Sequence, residues 1–189
     1  MSGVDNNSFF VQCTGQIVCG EFGPVDYLYC RYTFHYGNDW TIQSGLDNGL
    51  SQTACKNLSQ SEEQIIWNFP VDVSFNATNV FGWPRIAISV YGIDFLGRDV
   101  IRGYGSALVP MSSGQHLIEV DMFVPLATSY LNEAFAWIMG NPPEFFDSKF
   151  VCQSEGREVS RVRRSGKTTL SLNVVTKGMQ NFGYSAPTH

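Results

Sequence analysis

The chain has 189 residues, 43% hydrophobic and 14% aromatic with only 15% charged, which excludes whole-chain disorder and fits a single domain with a real core. Twelve basic against 17 acidic residues leave a net charge of −5, so the basic footprint of a general nucleic-acid binder is missing. Abundant β-formers, broken up by 18 glycines and eight prolines, point away from a helical bundle and toward a β-sandwich or barrel.

The first eight residues show no periodicity and are expected to be flexible. They hold no basic residue and include Asp5, unlike a signal peptide, and nowhere does an apolar run approach the ~18 residues of a membrane span. Val11, Cys13, Gly15, Ile17 and Cys19 then alternate with Gln12, Thr14, Gln16 and Val18, the period of two of a half-buried strand. Leu28, Cys30, Tyr32, Phe34 and Tyr36 repeat the pattern against Tyr29, Arg31, Thr33 and His35. Runs at 65–69 and 71–75 flank Pro70, which cannot donate a ladder hydrogen bond and either separates two strands or marks an edge. Ile86, Ile88 and Val90 oppose Ala87, Ser89 and Tyr91, and a shorter run covers 100–109. Ile118, Val120 and Met122 oppose Glu119 and Asp121, and Leu170, Leu172 and Val174 oppose Thr169, Ser171 and Asn173.

Turn residues fall between these runs, at Gly23-Pro24, Gly37-Asn38, Asp47-Asn48-Gly49, Gly82-Trp83-Pro84 and Ser113-Gly114. One stretch differs: Leu131, Ala134, Phe135 and Ile138 have helical spacing, with Thr128 or Ser129 to cap it and Gly140 and Pro142-Pro143 to close it. The expectation is an all-β, antiparallel sandwich of about eight strands with one short inserted helix. A single domain spans 9–178, between a flexible N-terminus, 1–8, and a flexible tail, 179–189.

Catalytic patterns are missing. No GxSxG, HExxH or P-loop occurs, and Gly103-Tyr104-Gly105 lacks the third glycine of a dinucleotide loop, so its glycines are assigned to a strand bend. His35 lies four residues from Asp39 but falls on the wet face of its strand, and Cys30 falls on the apolar face. The five cysteines are odd in number and without CxxC spacing, which fits buried thiols in a reducing cytoplasm. No enzyme, cofactor or metal is expected.

Two surfaces remain. Arg157, Arg161, Arg163, Arg164 and Lys167 hold five of the twelve basic residues, suited to an acidic partner or anionic lipid, or else to a charged edge strand that resists aggregation. Phe81 and Trp83 are either a partner anchor or core.

Several longer segments are specific: LYCRYTFHYGNDW (28–40), WNFPVDVSF (67–75), TNVFGWPRIAISVYGIDFLGRDVIRGYG (78–105), GREVSRVRRSG (156–166) and LNVVTKGM (172–179). Together they resemble the B9 domain family of the ciliary transition zone over nearly the whole chain. The resemblance implies a C2-type eight-stranded β-sandwich in the tectonic-like, Meckel-syndrome complex, beside other B9 domain proteins and tectonic-type membrane proteins. It implies a cytoplasmic protein at the basal body and transition zone, part of a diffusion barrier between ciliary and plasma membranes and needed for ciliogenesis and Hedgehog signalling. The alternative it allows is a peripheral C2-type domain that binds anionic lipid without calcium. C2 domains hold calcium through loop aspartates, and here Asp26, Asp94 and Asp99 stand near such positions while Gly92 replaces a ligand. A degenerate site that holds no metal is the expectation.

Overall fold

Strand β1 (Phe9–Glu21) buries Phe9, Val11, Cys13, Ile17 and Cys19, and β2 (Leu28–His35) buries Leu28, Cys30, Tyr32 and Phe34, as their alternation requires. The computed structural model describes residues 8–56, 64–94, 96–125 and 162–184. Within them follow β3 (Thr41–Gly45), β4 (Asn48–Leu50), β5 (Gln64–Ala77), β6 (Arg85–Ile93), β7 (Asp99–Leu108), β8 (Gly114–Pro125) and β9 (Val162–Lys177). The helix expected near 128–138 lies outside the described residues, as do Arg157 and Arg161.

All pairings are antiparallel, in the order β3-β5-β1-β9-β8-β7-β6-β2-β4. β5 and β2 are far apart in that order, yet their side chains meet. Phe75 lies 5.7 Å from Phe34 and Phe69 lies 5.8 Å from Tyr32, ring centre to ring centre. The Trp67 indole N–H also donates to the Leu28 carbonyl at 2.9 Å. The sheet therefore turns over on itself, near the Tyr104–Phe123 pairing of β7 with β8, and its two leaves enclose one core. Each large side chain fully buried there contributes roughly 1.5–3 kcal/mol relative to exposure.

Nine strands are described rather than the expected eight. Two of the expected runs are one strand, because β5 continues through Pro70. β3 pairs only with residues 73–76 of β5, so at Pro70 the strand has a neighbour on the β1 side alone and is an edge on the other, where proline is tolerated. Opposite Val18, β5 carries an extra residue, and Asn68 takes it up with φ of 45°, a left-handed conformation that Asn tolerates. The two added strands, β3 and β4, carry no buried side chain, so hydrophobic alternation had nothing to register. They tie the leaves together: Leu46 donates to the Asp72 carbonyl on one leaf, and Phe34 on the other donates to the Asp47 carbonyl.

Three smaller differences bear on surfaces. β6 buries Ala87 and Ser89 as well as Ile86, Ile88 and Val90, because a second cluster of Ile101 and Tyr104, with Tyr91 and Phe123, covers its outer face. Gly103 and Gly105 lie inside β7, where a Cβ would come within 2.8 Å of Ser165 Oγ and 2.5 Å of Met122 Sδ, so they serve close packing. After β9 the chain makes a 3-10 turn, Met179–Phe182, with Met179 in the core and Phe182 and Tyr184 packed on it. Packing thus extends to Tyr184.

Candidate functional site: the two ends of the sandwich

Antiparallel pairing brings residues 22–27, Asp94 with 96–98, and the start of β9 to one end of the sandwich. The three aspartates singled out in the sequence sit here, and Asp94 and Asp26 each have a structural task. Asp94 Oδ1 accepts hydrogen bonds from the Leu96 and Arg98 amides at 2.8 and 2.9 Å. Its Oδ2 takes the Arg98 guanidinium at 2.9 and 2.8 Å. The Arg98 amide, followed by that side chain, holds the Asp94 carboxyl below the usual range. Asp26 Oδ1 accepts from the Tyr27 and Lys56 amides, both at 2.8 Å. Asp99 opens β7 opposite Ile93 and points to solvent.

Gly92, in the place of a missing ligand, is buried, and a Cβ there would lie 2.4 Å from Leu28 Cδ2. A side chain there would have to displace the Leu28 methyl group and crowd Arg102. Among the described residues no three His, Cys, Asp or Glu side chains are placed to hold a metal ion. Millimolar calcium is accordingly expected to leave the melting temperature unchanged, with calorimetry as the check; a rise abolished by Asp94→Asn would contradict this. Asp94→Asn itself should lower the melting temperature at neutral pH. Because the folded carboxyl is depressed, that difference is full above the ordinary aspartate range and vanishes as pH falls through the lowered value.

The same end carries the described part of the basic run. Arg163 is exposed, opposite Val124 of β8. Arg164 pairs with Asp121 at 2.5 Å, and Lys167 sits between Glu21 at 3.5 Å and Glu119 at 3.6 Å. Glu119, then Glu21, raise the Lys167 pKa. Such exposed pairs are screened by water and salt, so their effect is on the surface charge rather than on the fold.

Asp39 and the buried thiols at Cys13 and Cys30 have structural surroundings. Asp39 Oδ2 accepts from the Thr78 hydroxyl at 2.6 Å and amide at 3.2 Å, latching one loop to another. Burial, with the charge of Asp72, pushes the Cys13 thiol up to about 12. Burial pushes Cys30 to about 11 against an opposing hydrogen bond from Ser51. Neither is a thiolate at neutral pH.

The opposite end gathers the 36–40, 78–84 and 109–113 loops. It resolves the aromatic pair. Trp83 is 7% exposed and donates its indole N–H to the Val109 carbonyl at 2.8 Å, whereas Phe81 is 83% exposed. Sequence reasoning missed Trp40, whose ring stands 5.1 Å from Trp83 and whose indole N–H donates to the Phe81 carbonyl at 2.9 Å. Its only signal was proximity to the Gly37-Asn38 turn.

Comparison with known proteins fits this architecture. The family model described as B9-C2, ciliary basal body-associated B9 protein, matches residues 11–175. B9 domain-containing protein 1 of Mus musculus is 49% identical over 97% of this chain and 90% of its own length. The Homo sapiens protein of that name is 50% identical over 93% and 86%. B9 domain-containing protein 2 of Danio rerio is 26% identical over 89% and 94%. Among solved structures, a C2 domain of plant extended synaptotagmin 1 aligns with a TM-score of 0.41 at 11% identity, over 87% of this chain and 92% of that one, a likeness too slight to carry an argument. With the family match running from β1 into β9, and relatives about half identical along almost the whole chain, the protein belongs to the B9-C2 family of ciliary basal body-associated B9 proteins.

Proposed function

We propose that this protein is a non-enzymatic scaffold of the ciliary transition zone. It acts within the tectonic-like, Meckel-syndrome complex, held beside other B9 domain proteins and tectonic-type membrane proteins. There it contributes to the diffusion barrier between ciliary and plasma membranes, and through it to ciliogenesis and Hedgehog signalling. The observation that carries this reading is the 49% identity with B9 domain-containing protein 1 of the mouse over 97% of the chain. The chemistry agrees in kind: carboxylates at Asp26, Asp39 and Asp94 close loops, and the Cys13 and Cys30 thiols are buried.

The basic run enters the proposal as a contact for an acidic partner. Arg163 carries more of it than Arg164 and Lys167, whose charges already meet Asp121, Glu21 and Glu119. Those same three acids repel anionic headgroups, which weighs against direct lipid binding as the main role.

The test is made in ciliated cells of the source organism. The tagged chain is expected to co-purify with the related B9 domain protein 2, and its removal should let a plasma-membrane reporter enter the cilium. Re-expression of wild type or of His35→Ala should restore exclusion equally. Purification without any B9 protein, together with an intact barrier after removal, would overturn the proposal.

A further inference from the structure

The strand order ends on two edges, β3 and β4, and they differ. β3 carries a register shift between Ile42 and Ser44, a bulge of the kind that blunts an edge against further pairing. β4 runs in unbroken register against β2, with Asn48 opposite Thr33, Gly49 opposite Tyr32 and Leu50 opposite Arg31. Two flanking bonds fix which of its main-chain groups face outward. The Phe34 amide donates to the Asp47 carbonyl at 2.7 Å, and the Ser51 amide donates to the Cys30 carbonyl at 2.8 Å. Hydrogen-bonded pairs alternate along an antiparallel ladder, so Gly49 turns its amide and carbonyl to Tyr32. Asn48 and Leu50 turn theirs away from β2, to an edge where no further strand follows among the described residues.

Side chains beside this edge form a groove of about 500 Å³, lined by Tyr29, Arg31, Asn48, Gly49, Leu50 and Tyr91. Tyr29 and Tyr91 stack across β2 and β6, with ring centres 5.3 Å apart and planes 14° from parallel. Leu50 is exposed. Arg31 is exposed too, and no carboxylate pairs with it among the described residues, whereas Arg98, Arg164 and Lys167 each have one. The charge of this leaf is one-sided. β2, β4 and β6 contain no Asp or Glu in a chain with 17 acids, yet they hold Arg31 and, on the same face, Arg85. Asp47, just before β4, already accepts from the Asn48 side chain at 2.8 Å and the Tyr36 hydroxyl at 3.4 Å. An acidic occupant complements such a face. A second copy of the chain, paired edge to edge about a two-fold axis, would bring Arg31 toward Arg31 and is disfavoured.

We propose that β4 is a docking edge for an extended acidic segment of a partner protein, added to the sheet as a further strand. The outward amides and carbonyls of Asn48 and Leu50 supply its main-chain bonds. A glutamate on the groove side of the segment meets the Arg31 guanidinium, which reaches past Leu50. Alternate residues of the segment turn inward, toward the Phe69 ring beside Gly49. Two residues offering edge bonds make a small contact, of the weak and exchangeable class. β2, β6, β7 and β8 separate this edge from the basic run of β9, and the assignment stands whether or not the scaffold reading does.

The experiment titrates the full chain into a fluorescein-labelled peptide of about eight residues, alternating glutamate and valine, and reads fluorescence anisotropy at low salt. A peptide with lysine in place of glutamate is the counterpart. Arg31→Glu, Leu50→Pro and, in the basic run, Arg163→Glu are compared, with a melting curve for each. Leu50→Pro deletes an outward amide without removing a bond to β2, so it tests the edge apart from the charge. Expected is saturable binding of the glutamate peptide alone, at least about tenfold weaker for Arg31→Glu and Leu50→Pro and unchanged for Arg163→Glu. Should Leu50→Pro lower the melting temperature, protection of the wild-type Leu50 amide from hydrogen exchange by the glutamate peptide takes its place, and no protection overturns the proposal. Undiminished binding by a stable Leu50→Pro reduces the groove to surface charge and overturns it, as does a loss in Arg163→Glu alone. Absence of peptide binding by wild type overturns it as well. Attachment to phosphatidylserine vesicles that is lost in Arg31→Glu, without peptide binding, would assign the face to a membrane and overturn it. None of these outcomes alters the co-purification and barrier assays that test the scaffold reading.

Discussion

Phe75→Ala is expected to destabilise the protein by about 3–5 kcal/mol, the range for truncating a buried Phe. Phe75 is fully buried in β5 and touches Phe34 at 5.7 Å, Tyr36 at 5.2 Å and Trp40 at 6.1 Å. Those rings lie on β2 and the loop after it, so Phe75 is where one leaf of the sandwich grips the other. The void left by Ala cannot collapse, because main-chain hydrogen bonds fix β5 against both β1 and β3. A chain of this size typically has about 5–15 kcal/mol in total, so about a fifth of it or more would go. The melting temperature should fall by about 6–20 °C, read by circular dichroism. Phe81→Ala removes the same atoms from an exposed position and should move it by no more than about 2 °C. The pair separates a phenylalanine that holds the core from one that the core does not use. Equal shifts from the two would mean that the Phe81 loop contributes to the core.

Legibility in the sequence followed burial. Where one face of a strand is buried, as with Val11, Cys13 and Ile17 or Leu28, Cys30 and Tyr32, a period of two reports it directly. β3 and β4 bury nothing on either face and are held by main-chain bonds to β5 and β2, which hydropathy does not encode. Pro70 is ambiguous for a related reason. Proline excludes one hydrogen bond, and whether that matters depends on the missing neighbour on the β3 side, a tertiary fact. Among the site residues, the replacement of a carboxylate by Gly92 is visible in the sequence. The contact with Leu28 that a side chain there would disturb is visible only in the fold. Charge density singled out the basic run, but Asp121, Glu21 and Glu119 come from other strands, so their partial neutralisation of it could not be counted along the chain. For Phe81 and Trp83, two residues apart and both aromatic, only tertiary placement decides that one is core and the other exposed.

Gly15→Ala should be as damaging as the loss of Phe75, though it adds one methyl group. Gly15 lies in the middle of β1, paired with Val71 of β5 on one side and Leu172 of β9 on the other. Its φ is 152°, where side chains are rarely found, and a Cβ built on it would stand 2.0 Å from the Ser171 carbonyl oxygen and 2.9 Å from Leu172 Cα. Both obstacles are backbone in a paired strand, so no rotamer change relieves them. Strain at such a φ costs about 1–3 kcal/mol and overpacking about as much again, for a total of about 2–6 kcal/mol. Gly97→Ala shares the positive φ, at 78°, but has open space around the Cβ, so it isolates the conformational part. Urea denaturation should therefore show a clearly lower midpoint for Gly15→Ala than for Gly97→Ala; equal midpoints would mean that β1 and β9 separate without cost. In cells a loss of this size lowers the amount of folded protein and, with it, recovery of every partner together. Phe81→Glu, at an exposed position, should instead leave abundance unchanged, so abundance measured beside co-purification distinguishes a broken fold from an altered surface.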